Sequence, residues 1–278
     1  MPKKTALPLP VVLATDFGPS SAYVGQMKCV LEARAPGVRV IDLAHDLPPQ
    51  NVAAAALVLR AAWAYLPRPC VLVTVVDPSV GSPRRIVAAH SADDVIVLAP
   101  DNGLAAALLA GQTPRALRAV TNRALFLPRV SPVFHGRDLF APVAAPLALG
   151  LDLSKVGPVI APRSLVQAPY SAPRQTCSGL RGEVVFVDHF GNLITNIRAE
   201  DLDAPGKNVA RASRARPSSF RVLCKHRTVP LVTHYAEAGK GQLLALIGSF
   251  GHLEIARRDG SATAFLRARP GTPVDVLI

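Results

Sequence analysis

The stretch "CVLVTVVDPSVGSPRR", residues 70–85, decides how the first half of the chain folds. It opens with an apolar run rich in valine, which predicts a strand buried on both faces, as in a parallel sheet. The run ends in Asp77, a Pro/Ser/Gly turn follows, and Arg84 and Arg85 come next. A carboxylate where a buried strand stops, with a guanidinium just beyond the turn, indicates a candidate functional site.

Three similar apolar runs flank this stretch: "VVLAT" (11–15), "VRVIDL" (38–43) and "DVIVLA" (94–99). Segments rich in Ala and Leu lie between the runs and predict helices at about 23–35, 51–66 and 102–110. Strands that alternate with helices predict a parallel sheet with right-handed crossovers. Residues 1–165 are therefore predicted to form an N-terminal α/β domain with a mostly parallel sheet.

The pattern of apolar runs and predicted helices changes in the second half of the chain. Residues 166–180 belong to a proline-rich stretch with little periodicity and are predicted to be a linker. Beyond it, short apolar runs separated by Gly and Asn turns predict a small antiparallel β domain at 181–278. The predicted strands are "GEVVFVD", "FRVLCK", "QLLALIG", "HLEIARR" and "TAFLRA".

Composition excludes several classes of protein. The formal net charge is +12 over 278 residues, but the basic residues are scattered and no homeodomain, zinc-finger or RNP pattern occurs, so an ordinary basic surface is favoured over nucleic-acid binding. The first residues lack the apolar core of a signal peptide. The longest apolar stretch is interrupted by Arg60 and is too short to span a bilayer, so no membrane association is expected.

The cysteines and histidines argue against a metal site. The four cysteines are far apart and form no CxxC pair, which disfavours structural zinc and is typical of a reducing cytoplasm. The seven histidines show no close metal-ligand spacing. We therefore expect a cytoplasmic protein without a bound metal.

Acidic residues follow each of the first four predicted strands: Asp16, Asp42 with Asp46, Asp77 and Asp101. Ligands of open parallel sheets bind beyond the carboxyl ends of the strands. Asp is also common in turns and at helix N-caps. Capping of the following helix is the favoured role of Asp101 and Asn102, whereas the Gly and Pro turns after Asp16 and Asp77 favour a ligand site.

Two further stretches combine polar residues with tight turns. "VFHGRDLFAPVAA" (133–145) sets His135 just before a helical Ala/Pro segment, and "VDHFGNLITNI" (187–197) ends a strand with Asp188 and Asn192. Neither stretch is specific alone, because a lone His is more often structural and Asn after Gly is often only a turn.

Taken in order, six motifs resemble the S-adenosyl-L-methionine (SAM) hydroxide adenosyltransferase family, which also contains fluorinating and chlorinating enzymes. They are "TDFG…YVGQMK", "VVDPSVGSPRR", "PDNGL", "FHGRDLFAPVAA", "DHFGNLITNI" and "GSFGHLEIARRDGSA". The resemblance runs from about residue 11 to 265. It implies a Rossmann-like N-terminal domain and a β-barrel C-terminal domain. It also implies a homotrimer, in which each site lies between the N-terminal domain of one subunit and the C-terminal domain of its neighbour.

The resemblance implies displacement of methionine from C5′ of SAM, with SAM as substrate and no cofactor. In the hydrolase branch water or hydroxide attacks, and adenosine and L-methionine form. The catalytic residues of the family match Asp77, Arg84 and His135. An Asp that pairs with an arginine is a weak general base. We therefore expect Asp77 to orient Arg84 and the water, Arg84 to stabilise hydroxide character, and His135 to accept the proton.

The resemblance also assigns residues to the nucleoside. Asp16 would hold the ribose 2′- and 3′-hydroxyls, since a carboxylate can accept from both. Asn192 offers the donor and acceptor that an adenine edge requires. Glu254 and the backbone near Arg257 would line the adenine pocket from the barrel side.

The methionine end of the substrate shows departures from the family pattern. Asp188 would pair with the ammonium group and Ser249 would contact the amino-acid part. However, Ser21 stands where the family usually has an acid, and Phe250 stands where the fluorinating enzymes have an arginine. Both changes put the affinity for the amino-acid part in doubt.

Two alternatives remain open. A halogenase of the same family would lack the Asp and the His and would use a serine where this chain has Gly136. A non-catalytic binder of adenosine or SAM is suggested by Ser21 and Phe250. Products formed with and without halide, together with adenosine binding, discriminate among the three functions.

Overall fold

The structure is a computed structural model, which describes residues 7–202 and 220–277. The chain divides into two compact units, Met1–Pro169 and Tyr170–Ile278. The first unit contains a six-stranded mixed sheet with helices, and the second is built mainly on one eight-stranded sheet. The predicted fold class, a Rossmann-like α/β domain followed by an antiparallel barrel-like domain, is confirmed.

The first unit has a central parallel sheet that is extended by two antiparallel strands. Its strands are β1 (Val11–Thr15), β2 (Val40–Ala44), β3 (Cys70–Val75), β4 (Ile86–His90), β5 (Val95–Pro100) and β6 (Ala116–Ala119). The strand order is β2-β1-β3-β5-β4-β6. Strands β2, β1, β3 and β5 run parallel, whereas β4 runs antiparallel to both β5 and β6. The buried run Cys70–Val75 therefore lies in the middle of the sheet.

Helices of the first unit follow the Ala- and Leu-rich segments. They are α1 (Ala22–Arg34), α2 (Val52–Ala62), α3 (Leu104–Leu108), a π-helical turn (Gly136–Phe140) and α4 (Ala141–Ala148), with 3-10 turns at Trp63–Tyr65, Arg123–Leu125, Leu153–Lys155 and Pro162–Ser164. Helix α2 begins where the Asn51 side chain accepts a hydrogen bond from the Ala54 amide, the usual N-cap arrangement. The three helices predicted for this half are thus observed, with shorter α2 and α3.

The core of the first unit is made mostly of aliphatic side chains, in keeping with the low aromatic content. Val71, Val73 and Val75 of β3 share one buried cluster with Met27 of α1 and Phe140. Alternate residues of a strand point to opposite faces, so every second residue of the run, from Val71 to Val75, reaches this cluster. The arrangement fixes the end of β3, and with it Asp77, against a rigid interior.

Strands β4 and β6 were not predicted. Ile86–His90 follows directly on Arg84 and Arg85, so its apolar residues resemble the end of a loop rather than a separate strand. Ala116–Ala119 has only four residues and lies at the sheet edge. The antiparallel pairing of β4 with β5 is compatible with the short connection between His90 and Val95, because parallel neighbours need long crossovers.

The second unit is an antiparallel sheet that curls toward closure. Its strands are β7 (Arg174–Thr176), β8 (Gly179–Val187), β9 (Leu193–Arg198), β10 (Arg221–Cys224), β11 (Arg227–Val229), β12 (Leu243–Ile247), β13 (His252–Arg257) and β14 (Pro273–Leu277). The order is β11-β10-β14-β8-β9-β13-β12, with β7 paired to β8. Beyond β11, the Val232 amide donates to the Ala245 carbonyl of β12 at 2.8 Å. This contact joins the two ends of the sheet into a nearly closed barrel.

One predicted strand of this unit is wrong. "TAFLRA" (263–268) overlaps helix α6 (Ala262–Leu266) and forms no strand. The Ser261 hydroxyl accepts from the Ala264 amide, and the Thr263 amide donates to the Gly191 carbonyl. The cap and this distant contact favour a helical turn over the β-like composition. A second short helix, α5 (Ala199–Leu202), follows β9, and a 3-10 turn covers Tyr235–Glu237.

Among the helices of the described ranges, none has both the length and the apolar character that crossing a bilayer requires.

Candidate active site

The turn after β3 brings Arg84 back onto Asp77. The turn is closed by hydrogen bonds from the Val80 amide to the Asp77 carbonyl and from the Ser82 amide to the Ser79 carbonyl. Arg84 Nε donates to Asp77 Oδ2 at 2.7 Å, and Arg84 Nη2 contacts the same oxygen. The two side chains are only 8% and 4% exposed. The sequence therefore folds so that a nearly buried ion pair lies at the end of the central strand.

His135 completes this group, although it lies far along the chain. Arg84 Nη2 lies 2.8 Å from Nδ1 of His135, at the start of the π-helical turn. A guanidinium can only donate, so Nδ1 accepts and the neutral ring carries its proton on Nε2. Burial, reinforced by the Arg84 charge, holds the pKa of His135 below its ordinary value, against the opposing effect of Asp77. His135 is thus a neutral imidazole whose Nε2–H group is a donor.

Beside Arg84 and His135 lies a cavity of about 290 Å³. Its lining includes Arg84 and His135 together with the apolar side chains of Phe126 and Leu139. A water molecule occupies about 30 Å³ of liquid volume, so several waters can fit next to the guanidinium and the imidazole.

Aromatic side chains fix the loops that carry Asp16 and His135. The Phe17, Tyr23 and Phe134 rings pack edge to face, with centroids 5.0–5.9 Å apart. Phe17 also packs on Gly136, where a Cβ atom would lie 3.0 Å from the ring and 3.2 Å from Met27 Sδ. A side chain at residue 136 would therefore require Phe17 and Met27 to move by a few tenths of an ångström.

Asp138 is a buried acid that sequence reasoning did not select. Its side chain is fully buried and accepts from Arg137 Nε at 2.6 Å and from the Ser131 amide at 2.7 Å. Burial raises the pKa of Asp138, but Arg137 and Ser131 outweigh this effect and leave it below the ordinary value. Asp138 therefore remains ionised and holds the segment before His135. The "GRD" triplet was the only available signal.

The acids that follow β1 and β5 have different environments. Asp16 Oδ2 accepts from the Gln50 amide at 2.8 Å. Asp101 accepts from Arg85 Nε at 2.8 Å and from the Val166 amide at 2.9 Å. The capping role expected for Asp101 and Asn102 is observed only at Asn102, whose side chain accepts from the Leu104 amide at 3.3 Å. The Asp101 carboxylate instead joins Arg85 to a distant loop.

In the second unit, Asp188 organises the turn that presents Asn192. Its Oδ1 accepts from the amides of Phe190 and Asn192, and its Oδ2 accepts from Asn192 Nδ2 at 2.9 Å. The turn requires Gly191 (φ 83°), because a Cβ there would lie 2.2 Å from the Ser261 hydroxyl. Two predicted site residues are thus in direct contact, and the assigned contact of Asp188 with an ammonium group stays a prediction.

A cavity of about 670 Å³ opens beside this turn and is lined by Phe190, Asn192, Tyr235 and Arg257, among others. Sequence reasoning missed Tyr235, whose hydroxyl donates to Glu254 Oε1 at 2.6 Å. Burial raises the pKa of both Tyr235 and Glu254. The hydrogen bond joins the cavity wall to a buried carboxylate, so Glu254 supports the position of Tyr235.

Ser249 and Phe250 lie in the turn between β12 and β13. The Phe250 ring stacks on Phe186, with centroids 6.1 Å apart. Ser249 is exposed. Phe250 is thus a packing residue of the barrel, and the assigned contact of Ser249 stays a prediction.

Within the described ranges, no group of three or more His, Cys, Asp or Glu side chains is arranged to hold a metal ion. All four cysteines are free thiols. The expected absence of a metal and of a cofactor stays a prediction.

Comparison with known proteins gives matches along nearly the whole chain. The family model for the SAM hydroxide adenosyltransferase N-terminal domain matches residues 11–157, and the model for the C-terminal domain of the same family matches residues 182–275. Similar curated proteins include the (R)-S-adenosyl-L-methionine hydrolases of Salinispora tropica and Thermus thermophilus. The first is 39% identical over 94% of this chain and 95% of the relative, and the second is 39% identical over 96% and 99%.

A more distant relative and a solved structure also match nearly the whole chain. A fluorinase from an Actinoplanes species is 27% identical over 89% of this chain and 90% of its own. The crystal structure of an uncharacterized conserved protein from Thermotoga maritima superimposes with a TM-score of 0.84 at 32% identity. It covers 96% of this chain and 100% of its own.

Proposed function

Since the chain belongs to the SAM hydroxide adenosyltransferase family, we propose that it hydrolyses S-adenosyl-L-methionine to adenosine and L-methionine. Water attacks C5′, a C5′–O bond forms, and the C5′–S bond breaks. The sulfur keeps the bonding electrons and leaves as a neutral thioether, while the proton of the water passes to solvent. Because a sulfonium needs neither protonation nor a Lewis acid to depart, the proposed reaction uses no metal and no cofactor.

The observation that carries this proposal is Arg84, which forms a nearly buried pair with Asp77 and also contacts the half-buried His135. The guanidinium supplies positive charge where hydroxide character develops, and such preorganised charge is worth more away from bulk water. Asp77 fixes the direction of the guanidinium. The main task left is to align the water with the C5′–S bond, and orientation can contribute about 7–11 kcal/mol.

His135 acts as a donor in this scheme. Its Nδ1 is engaged by Arg84, so the Nε2–H group is the one free to hold the oxygen of the water. We expected His135 to accept the proton of the water, but Nδ1 could do so only after it released Arg84. We therefore favour a mechanism in which His135 positions the water, and in which the water loses its proton to solvent as the new bond forms.

Recognition of the substrate is assigned to residues of both units. Asp16 accepts from the ribose hydroxyls and Asn192 pairs with the adenine edge, with Arg257 and Tyr235 in the wall of the same cavity as Asn192. Asp188 and Ser249 are assigned to the amino-acid part. Glu254 acts through Tyr235.

Assembly and location belong to the same proposal. The family resemblance supports a homotrimer with active sites at subunit interfaces, and light scattering on the purified protein tests it. Four free thiols are compatible with a reducing cytoplasm, where SAM is the small-molecule partner. No nucleic-acid partner and no membrane partner is proposed.

The halogenase alternative is disfavoured because Asp77 and His135 are both present and because Gly136 is closed in by Phe17. Incubation of the purified protein with SAM and a metal chelator, followed by chromatography, is expected to give adenosine and methionine in equal amounts. Parallel samples with chloride or fluoride separate the alternatives. A 5′-halogenated adenosine would favour the halogenase, and tight adenosine binding without any product would favour the binder.

A further inference from the structure

A network of hydrogen-bonded polar side chains lies outside the group formed by Asp77, Arg84 and His135. Lys28 Nζ of α1 contacts Asp42 Oδ2 of β2 at 2.6 Å, and Asp42 Oδ1 lies 2.9 Å from Nε2 of His45. His45 Nδ1 then lies 2.9 Å from the Thr15 hydroxyl at the end of β1. Thr15 is fully buried and His45 is 9% exposed. The network thus runs from Lys28 at the surface to Thr15 in the interior, the residue before Asp16.

The direction of the hydrogen bonds follows from the acid in the middle. An ionised Asp42 can only accept, so His45 donates from Nε2, and an imidazole that carries this one proton accepts at Nδ1 from the Thr15 hydroxyl. The oxygen of that hydroxyl accepts in turn from the Phe17 amide at 3.3 Å. Thr15 is therefore held in one orientation, and it supports the backbone on the far side of Asp16.

The segment that carries His45 holds the Asp16 loop at two more points. The Gly18 amide donates to the His45 carbonyl at 2.7 Å, and the Gln50 amide donates to Asp16 Oδ2 at 2.8 Å. The loop after β2 therefore determines where the Asp16 carboxylate points.

We infer that His45 is a positioning residue for recognition of the ribose diol, acting on Asp16 through Thr15 and the Gly18 amide. This inference rests on the proposed function, in which Asp16 binds the 2′- and 3′-hydroxyls. A residue that only stabilised the fold would affect every ligand alike. A residue that orients the Asp16 carboxylate affects the affinity only for ligands that carry the diol.

The test compares binding of adenosine with binding of 2′,3′-dideoxyadenosine by calorimetry. For His45→Ala we expect adenosine to bind about tenfold more weakly, while dideoxyadenosine binds as it does to the wild type. His45→Asn keeps an acceptor near the position of Nδ1 and should recover part of the loss. Thr15→Val removes the hydroxyl without changing the shape of a buried strand residue, and it should reproduce the selective loss.

His90→Ala is the matched control, because His90 also lies near an aspartate of the first unit, with Nε2 3.3 Å from Asp94 Oδ1. It lies at the end of antiparallel strand β4 and pairs with Ile96 near the start of β5. It should leave both affinities unchanged. Equal weakening of both ligands by His45→Ala and Thr15→Val, or no weakening of either, would overturn the inference. A wild-type protein that binds both nucleosides equally would overturn the assignment of Asp16, and the inference with it.

Discussion

Arg84 donates a hydrogen bond from Nη2 to Nδ1 of His135 across 2.8 Å, and the same guanidinium holds the Asp77 carboxylate. One arginine thus determines the tautomer of the imidazole and is itself oriented by the acid. Because Nδ1 is occupied, the imidazole offers a proton donor to the space beyond it. The arrangement is suited to holding a water molecule in line with a bond that breaks without acid catalysis.

The donor role of His135 predicts a difference between two substitutions. His135→Gln places an amide NH₂ group near the position of Nε2, whereas His135→Ala removes the donor. We expect kcat to fall by about 10²–10³-fold in the alanine variant and by clearly less in the glutamine variant. Steady-state kinetics on both proteins checks this, and equal losses would point to a proton acceptor that glutamine cannot replace.

Asp77→Asn is expected to lower both activity and stability. The substitution leaves the Arg84 charge nearly buried without its counter-ion, which costs about 3–5 kcal/mol when a buried pair is broken. The exposed pair of Arg181 and Asp275 supplies the control, since Asp275→Asn should cost below about 1 kcal/mol. Chemical denaturation measures both free energies of unfolding, and equal values would contradict the buried ion pair.

Gly136→Ser is expected to impair the enzyme without creating a halogenase. The new Cβ would meet the Phe17 ring at 3.0 Å, so the aromatic cluster that supports the Asp16 and His135 loops must shift. We expect kcat/KM to fall by about tenfold or more, since small misplacements of a substrate are costly. Gly25→Ser is the control, because nothing lies within 4 Å of a Cβ there. Full activity of the Gly136→Ser enzyme would show that the site has more room than the structure indicates.

Tyr235→Phe is expected to destabilise the protein in a pH-dependent way. The substitution removes the hydrogen bond that the Tyr235 hydroxyl donates to the ionised form of Glu254, which is worth about 1.5–3 kcal/mol. Burial already raises the pKa of Glu254 above 4.5, and removal of the Tyr235 hydroxyl raises it further. The native state of the variant therefore binds a proton more readily than the native wild type. As the pH falls from neutral toward 4.5, the loss of unfolding free energy relative to the wild type becomes smaller. Thermal melting across this range measures the deficit.

Tyr65→Phe serves as the reference for this series, because Tyr65 is 86% exposed. Its melting temperature should follow the wild type at every pH. A Tyr235→Phe deficit that is constant with pH would mean that Glu254 is not the group that the hydroxyl stabilises.

The sequence was sufficient where the determinants are local. "VVLAT" corresponds residue for residue to β1, because five consecutive apolar or β-branched residues have no stable alternative to a buried strand. Asp77 and Arg84 are seven residues apart and joined by a tight turn, so their contact could be anticipated from the Pro/Ser/Gly composition. The six motifs, taken in order, then indicated the family.

Contacts that depend on the register of distant elements could not be predicted. Tyr235 meets Glu254 only because the loop before β12 folds over β13, and no local pattern marks an isolated tyrosine. His45 reaches Thr15 across the β1–β2 pair, which is visible only once both strands are placed. Helix α6 was missed for the same reason, since its start is held by the Gly191 carbonyl from another turn.

The most direct measurement of the central claim is the fate of the water oxygen. Purified protein is incubated with SAM in water enriched in oxygen-18, and the adenosine is analysed by mass spectrometry. Attack of water on C5′ predicts adenosine that carries one oxygen-18 atom in its 5′-hydroxyl, in step with release of unlabelled methionine. Adenosine without the label, or no adenosine above the spontaneous background, would contradict the account.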